Sequence, residues 1–205
     1  MRLSDKPFAA LLADFSSSTP TPGGGSASAM AAAVGAALLV MVAGMPKTRT
    51  NSDQERQELS EAGAKLTALR DQLARQIDED SGAYDEVVAA YRLPRATDEE
   101  KAARKEAIQA ALRHATRIPL QVMRGCSAAL AEALRVARHG NRSAASDVGV
   151  AIVLLRAGLR GAELNVRINL DGLADKQAAA ATAGEAEAIA RDGLEQAGRA
   201  EAALQ

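Results

Sequence analysis

Residues 16–46 read S-S-S-T-P-T-P-G-G-G-S-A-S-A-M-A-A-A-V-G-A-A-L-L-V-M-V-A-G-M-P and contain no charged side chain. The first third predicts a loop, because its prolines and glycines do not fit inside a regular element without cost. The remainder predicts an alanine-rich helix from about Ser26, its N-cap, to about Gly44. A helix that is apolar on every side must be buried on every side. We therefore expect a central helix that other helices surround, with a second subunit as a further candidate neighbour.

A membrane span is the alternative interpretation of this helix, because about 20 apolar residues are enough to cross a bilayer. Its apolar content is mostly alanine and glycine, which gain little from lipid, and no aromatic belt flanks it. We therefore favour a buried core helix and expect no association with a membrane.

The composition indicates a single helical domain, residues 1–205. Hydrophobic residues make up 47% of the chain but aromatic residues only 2%, which favours close-packed helices over sheets. The net charge is −1 and both signs are interspersed, so no basic patch predicts nucleic acid as a partner. The charged N-terminus lacks the apolar core of an export signal, and the single cysteine, Cys126, fits a reducing compartment. We expect an all-α, antiparallel, cytoplasmic bundle.

Caps and breakers predict the helix boundaries. A capping box at Ser52 and Glu55 opens a long helix that ends before Pro94. A second box at Thr97 opens a helix to about residue 139, which Pro119 should kink or divide. The other predicted helices are residues 4–15, from 143–146 to about 170, and 175–203.

The long helix carries one acidic residue on its buried face. Apolar residues recur at helical spacing from Leu59 to Tyr91, and between Ile77 and Tyr84 this stripe requires a residue at position 80 or 81. Position 80 is aspartate. An inward carboxylate must be hydrogen-bonded, paired or held with a raised pKa. On the pattern alone, a catalytic Asp80 and a structural Asp80 that caps a helix or pairs with a buried arginine are equally supported.

The helix that ends near residue 170 has a second polar pattern. Asp147 and Asn165 are five helical turns apart on one face, with small residues between them, and Asn169 is slightly rotated from that face. This pattern predicts a groove with polar ends. Taken alone, Asp147 is better explained as a favourable charge near the helix N-terminus.

No metal site is predicted. His114 and His139 are the two histidines, and neither belongs to an HExxH motif or a cysteine–histidine cluster. Both are typical of surface or helix-end positions.

Four segments together resemble the cyclodeaminase/cyclohydrolase family, which comprises the C-terminal half of formiminotransferase-cyclodeaminase and standalone methenyltetrahydrofolate cyclohydrolases. The resemblance covers roughly residues 5–200. The segments are P-T-P-G-G-G-S-A-S-A (20–29), D-S-G-A-Y-D-E-V-V-A-A-Y-R-L-P-R (80–95), G-N-R-S-A-A-S-D (140–147) and L-N-V-R-I-N-L-D-G-L-A-D (164–175).

The resemblance implies a helical homodimer with a folate-binding groove near its interface, and chemistry on the one-carbon bridge between N5 and N10 of tetrahydrofolate. It implies no cofactor beyond the folate substrate. It places the family's catalytic aspartate, a proton shuttle, at Asp80, which the helical stripe indicates independently. The candidate substrate-binding residues are Gly23, Gly24, Gly25, Lys47, Arg49, Tyr84, Asn141, Ser146, Asp147, Asn165 and Asn169.

Two points remain open at the level of sequence. The glycines 23–25 bring backbone N–H groups to a helix N-terminus and form either a seat for an anion or a site of tight backbone packing. The segment K-T-R-T-N-S at 47–52 departs from the family pattern L-T-x-G-K-K-K-Y, although it keeps one basic position at Arg49 and adds Lys47. That departure favours a second hypothesis, a non-catalytic helical dimer that binds a small anionic ligand or a partner protein. The inward Asp80 opposes it.

Overall fold

The computed structural model describes residues 2–204, which contain six α-helices, two short 3-10 turns and no β-strand. The predicted all-α class is therefore confirmed. The 3-10 turns are Leu3–Asp5 and Arg142–Ala144. The helices are α1 (Phe8–Phe15), α2 (Gly24–Ala43), α3 (Asp53–Tyr91), α4 (Asp98–His139), α5 (Ala145–Asp171) and α6 (Lys176–Ala202).

The predicted caps of the two long helices are present. The Ser52 side chain accepts a hydrogen bond from the Glu55 backbone N–H, and Thr97 forms a complete capping box with Glu100. The predicted helix over residues 4–15 is wrong in its first half, because Pro7 separates the 3-10 turn from α1. A residue that precedes proline is disfavoured in the helical conformation, so Lys6 is extended.

Helix α2 begins two residues earlier than predicted. Its N-cap is Gly23, so the assignment of the N-cap to Ser26 is wrong. Ser26 lies in the first turn of α2 and is fully buried.

Helix α4 continues through Pro119, so the predicted division is not observed. Proline has no N–H, which leaves the carbonyl four residues earlier, that of Ala115, without its helical donor. The Asn169 side chain of α5 supplies the missing donor, with Nδ2 2.9 Å from the Ala115 oxygen. An interhelical hydrogen bond thus takes the place of the helical hydrogen bond that proline removes.

Small residues bring α2 and α5 together in antiparallel packing. A Cβ added at Gly35 would lie 2.8 Å from the Ala151 carbonyl oxygen, and one at Gly158 would lie 2.8 Å from Ala32 Cβ. The stripe between Asp147 and Asn165 is therefore filled by α2. The groove predicted there is wrong, because small side chains mark close helix packing in this case.

One face of α2 is open to solvent in the single chain. Val34 is 48% exposed and Met41 45% exposed, so the predicted burial on every side is not met. The helix is long and apolar enough to cross a membrane, and 56% of its most apolar window is buried inside the fold. It packs mainly against α3 and α5, and to a smaller extent against α4.

Candidate active site

A cavity of about 230 Å³ lies where the start of α2 meets α3, α4 and α5. It collects seven of the residues predicted to form the site, although they come from three separate segments of the chain. Backbone around the N-terminus of α2 forms one wall, and Leu112 and Ala115 of α4 contribute apolar surface. The seven predicted residues are Gly23, Gly24, Gly25, Asp80, Tyr84, Asn165 and Asn169.

The Asp80 carboxylate is partly buried in this cavity. Its Oδ2 accepts a hydrogen bond from the Ser26 hydroxyl at 2.9 Å. Burial raises the pKa of Asp80 above its ordinary value, while hydrogen bonds from the Ser26 side chain and backbone oppose that rise. Among the described residues that line the cavity, none is a lysine, arginine or histidine. The carboxyl therefore has no cation beside it to fix its ionised form.

Because Gly25 has no side chain, the Asp80 carboxyl group can lie directly against its backbone. A Cβ at position 25 would lie 2.5 Å from Asp80 Cγ and 2.6 Å from Oδ2, closer than real Cβ contacts come. The backbone of Gly25 has no positive φ, so the requirement for glycine comes from space alone. The tight packing at Gly25 therefore involves a carboxylate of the chain itself, which lies beside the first turn of α2. A seat for a ligand anion at glycines 23–25 stays a prediction.

Two asparagines of α5 line the cavity, and each holds its amide nitrogen on a backbone carbonyl. Asn165 Nδ2 donates to the Gly161 carbonyl at 2.8 Å, and Asn169 Nδ2 donates to the Ala115 carbonyl at 2.9 Å. A carbonyl only accepts, so these contacts identify the amide nitrogens and leave each Oδ1 for another donor. The described lining of the cavity thus contains one carboxyl group, two amide groups and no positive side chain. This arrangement suits a ligand that carries N–H donors or a positive charge.

The other candidate residues lie outside this cavity in a single chain. Ser146 and Asp147 begin α5, and 18 residues separate Asp147 from Asn165, about 27 Å along the helix. Lys47 is exposed. Arg49 and Asn141 line a separate cavity of about 210 Å³.

The observed contacts of Arg49 and Asn141 are structural. Arg49 Nη1 donates to the carbonyls of Ala137 and Arg138 at 3.2 and 3.1 Å, and so closes the C-terminus of α4. Asn141 Oδ1 accepts from the backbone N–H of Ser143 at 3.0 Å and caps the short turn before α5. These residues shape the end of the bundle opposite to Asp80.

Buried Glu55 holds residues 47–52, the segment that departs from the family pattern, through hydrogen bonds. Its carboxylate accepts from the Thr48 hydroxyl at 2.6 Å and from the Thr50 backbone N–H at 2.8 Å. These hydrogen bonds lower the pKa of Glu55 to about 2, and the one from the Thr48 hydroxyl has the largest effect. A carboxyl whose pKa is lower in the folded chain adds stability that is complete above its ordinary pKa of 4.5 and is lost as the pH falls towards 2.

We expect Thr48→Val to reduce the free energy of unfolding near pH 7, and the deficit to shrink at about pH 3, where part of the Glu55 contribution is already absent. Urea unfolding at the two pH values measures both effects. Thr116→Val is the matched control, because its buried hydroxyl donates to the neutral Leu112 carbonyl and its cost should not change with pH. A Thr48→Val deficit of equal size at both pH values would contradict the account.

Ser26 is a contributor to the site that the sequence does not reveal, because a serine after three glycines is also typical of a helix N-cap. Cys126 is fully buried, and burial raises the pKa of its thiol to about 12, so it is an inert core residue. In residues 2–204, no group of three or more His, Cys, Asp or Glu side chains is placed to hold a metal ion.

The fold and the cavity define a class of protein: an all-helical domain whose buried helix N-terminus holds the carboxylate of a neighbouring helix in a small polar pocket. The family sequence profile described as formiminotransferase-cyclodeaminase matches residues 7–188. The chain belongs to this family.

Two relatives illustrate its breadth. The methenyltetrahydrofolate cyclohydrolase of Methylorubrum extorquens is 42% identical over 139 residues, which cover 68% of this chain and 67% of that protein. The formimidoyltransferase-cyclodeaminase of Rattus norvegicus is 36% identical over 114 residues, which cover 56% of this chain but only 20% of that longer protein.

A solved structure shares the fold. The crystal structure of formiminotetrahydrofolate cyclodeaminase from Thermotoga maritima superposes with a TM-score of 0.87 at 24% sequence identity. The superposition covers 98% of this chain and 97% of that one.

Proposed function

We propose that this chain is a folate enzyme that acts on the one-carbon bridge between N5 and N10 of tetrahydrofolate, with hydrolysis of 5,10-methenyltetrahydrofolate as its main reaction. The observation that carries the proposal is the Asp80 carboxyl group, which is partly buried in a cavity without a cationic side chain. The name of the 42% identical relative supports hydrolysis as the reaction.

A single carboxylate is sufficient for this chemistry. Water adds to the electrophilic methenyl carbon, and Asp80 takes a proton from it. The bond between the carbon and N5 then breaks, and Asp80 returns the proton to N5 while the second water proton is released and 10-formyltetrahydrofolate forms. The methenyl bridge is cationic, so the carboxylate also stabilises it electrostatically. A pKa raised by burial makes Asp80 a better proton acceptor than an exposed aspartate.

The remaining cavity residues suit the pterin ring. Its amino group and ring N–H groups are donors, and the Oδ1 atoms of Asn165 and Asn169 are acceptors on two residues that line the same cavity. Pockets that enclose drug-sized ligands have roughly 300–1,000 Å³, and this cavity has about 230 Å³. It therefore fits the ring and the bridge, and the rest of the folate would lie outside, past the exposed edge of Tyr84.

Cyclodeamination of 5-formiminotetrahydrofolate is the second candidate, and the matches to formimidoyltransferase-cyclodeaminases support it. In that reaction N10 attacks the carbon of the protonated formimino group, the bond from that carbon to the formimino nitrogen breaks, and ammonia leaves. Asp80 would take the N10 proton and deliver it to the departing nitrogen. The same bridge, cavity and carboxylate serve both reactions.

Turnover of the purified protein tests the proposal. We expect the absorbance of 5,10-methenyltetrahydrofolate to decay faster with the protein than without it. A parallel assay with 5-formiminotetrahydrofolate identifies the preferred reaction. Absence of turnover on both substrates would contradict the proposed function and favour a non-catalytic binding protein of the same fold.

We further propose that the chain forms a homodimer through the exposed face of α2 and α5. Val150, Val153, Leu164 and Ile168 recur at helical spacing on α5, and Ile168 is 70% exposed. Val34 and Met41 are exposed on α2, which packs against α5 and has no charged residue. Large contiguous apolar patches are rare on the surfaces of monomers, so exposed apolar residues on two packed helices support an interface. The end of the face that carries Leu164 and Ile168 adjoins Asn165 and Asn169, so a partner would lie beside the cavity.

We expect Val153→Glu to convert a dimer into a monomer, because two glutamates would be buried in a symmetric interface. Sedimentation velocity measures the change. Leu93→Glu is the control, since Leu93 is 41% exposed in the loop between α3 and α4, away from this face. A wild-type protein that stays monomeric at all concentrations would contradict the proposed dimer.

The cytoplasmic localisation of the protein stays a prediction.

A further inference from the structure

The Ser26 hydroxyl lies at a junction of three oxygen atoms. It is 2.9 Å from the Ile77 carbonyl oxygen, 2.9 Å from Asp80 Oδ2 and 3.1 Å from Ser81 Oγ. Ser26 is fully buried, so no solvent competes for these contacts. A hydroxyl has one proton and therefore donates to one of these oxygens at a time.

The geometry supplies a complete hydrogen-bond arrangement for each protonation state of Asp80. When Asp80 is ionised, Ser26 donates to Oδ2. When Asp80 is protonated, its O–H donates to Ser26 Oγ, and the serine turns its own proton to the Ile77 carbonyl, which has a lone pair to receive it. Ser26 keeps its proton throughout, and only the direction of its O–H changes. Neither state leaves a buried polar atom without a partner, which would be costly.

We propose that Ser26 is a positioning residue for Asp80, a hydroxyl switch that stabilises both protonation states of the carboxyl group. The inference rests on the proposed role of Asp80 as a proton shuttle, since a shuttle passes through both states in every turnover. A preorganised hydroxyl that rotates in place replaces the solvent that would otherwise rearrange around the changing charge.

The surroundings isolate this pair from other charges. Tyr84 is the other titratable residue of α3 that lines the cavity. The two acids that precede Asp80 lie outside it: Glu79 is exposed, and Asp78 accepts hydrogen bonds from the Leu3 backbone N–H and the Ser4 hydroxyl. The groups of α5 that face the cavity are the uncharged amides, and those of α4 are Leu112 and Ala115. The described part of α2 and the loop before it contribute no titratable side chain.

Ser26→Ala tests the switch. The hydrogen bond to the ionised carboxylate is stronger than that to the neutral acid, so its loss should raise the pKa of Asp80 by about one unit. A ¹³C NMR titration of the Asp80 carboxyl group in the folate-free protein measures this shift. The acid limb of the pH profile of kcat/KM should move to higher pH by the same amount. Ser26→Cys, with a weaker donor, should give a smaller shift in the same direction.

Ser28→Ala is the matched control. Ser28 is also buried in α2, but its hydroxyl donates to the Gly24 carbonyl at 2.6 Å and not to Asp80. Neither the titration nor the pH profile should move in this variant. An Asp80 that titrates at the same pH in wild type and in Ser26→Ala would overturn the inference, as would a shifted titration with an unmoved pH profile. Failure of the proposed function is a separate result, absence of turnover by the wild-type protein, which leaves the NMR comparison intact.

Discussion

Gly25→Ala should lower kcat by about 100-fold or more, because the new methyl group takes the place of the catalytic carboxyl group. The added Cβ would lie 2.5 Å from Asp80 Cγ. The short Asp80 side chain can rotate away from it, so we expect the helices to remain folded while the carboxylate leaves its position beside Ser26. Displacements of about 1 Å at a reacting group cost rates of this order. Steady-state turnover and thermal unfolding of the same sample separate the two effects.

Gly82→Ala is the matched control for that variant. Gly82 is an exposed residue of α3, two positions from Asp80, and a Cβ there would meet nothing within 4 Å. Alanine is favoured over glycine inside a helix by about 1 kcal/mol, so this variant should be more stable and equally active. If Gly25→Ala retained wild-type turnover, the close packing of Gly25 against Asp80 would not be required for catalysis.

Asp80→Asn should reduce turnover by about 10²- to 10⁴-fold, the usual contribution of a general acid–base residue. The amide has nearly the shape of the carboxyl group and still accepts a hydrogen bond from Ser26, so the loss reports proton transfer and charge rather than packing. The variant should also bind the cationic methenyl substrate more weakly. Measurement of kcat and KM with 5,10-methenyltetrahydrofolate gives both quantities.

Asp78→Asn controls for the loss of one negative charge from the same helix. Asp78 accepts hydrogen bonds from the Leu3 backbone N–H and the Ser4 hydroxyl and does not line the cavity. We expect its kcat to equal that of the wild type. Equal activity of Asp80→Asn and Asp78→Asn would remove Asp80 from the mechanism.

Local signals were sufficient to predict most of the helix boundaries. The caps at Ser52 and Thr97 act within one helical turn, so the sequence displays them directly. The inward direction of Asp80 was also predictable, because helical periodicity places position 80 on the buried face of α3 whatever packs against it.

Contacts between distant segments were not predictable in this way. The hydrogen bond between Ser26 and Asp80 joins residues 54 positions apart, and that between Asn169 and the Ala115 carbonyl also spans 54 positions. The sequence shows that Pro119 has no N–H to donate to the Ala115 carbonyl. It does not show that Asn169 supplies the replacement donor, because that contact depends on how α5 packs against α4. The small residues between Asp147 and Asn165 allow a groove or a close helix contact equally well, and the packing of α2 decides between them.

A structure of this protein with a bound 5,10-methenyltetrahydrofolate analogue tests the role of Asp80 most directly. We expect the pterin ring to occupy the cavity between α2, α3 and α5, and an oxygen of Asp80 to lie about 3–3.5 Å from the bridge carbon or its attacking water. We also expect Asn165 Oδ1 or Asn169 Oδ1 to accept a hydrogen bond from a pterin N–H group. A folate bound elsewhere on the chain, with this cavity empty and Asp80 unchanged, would contradict that role.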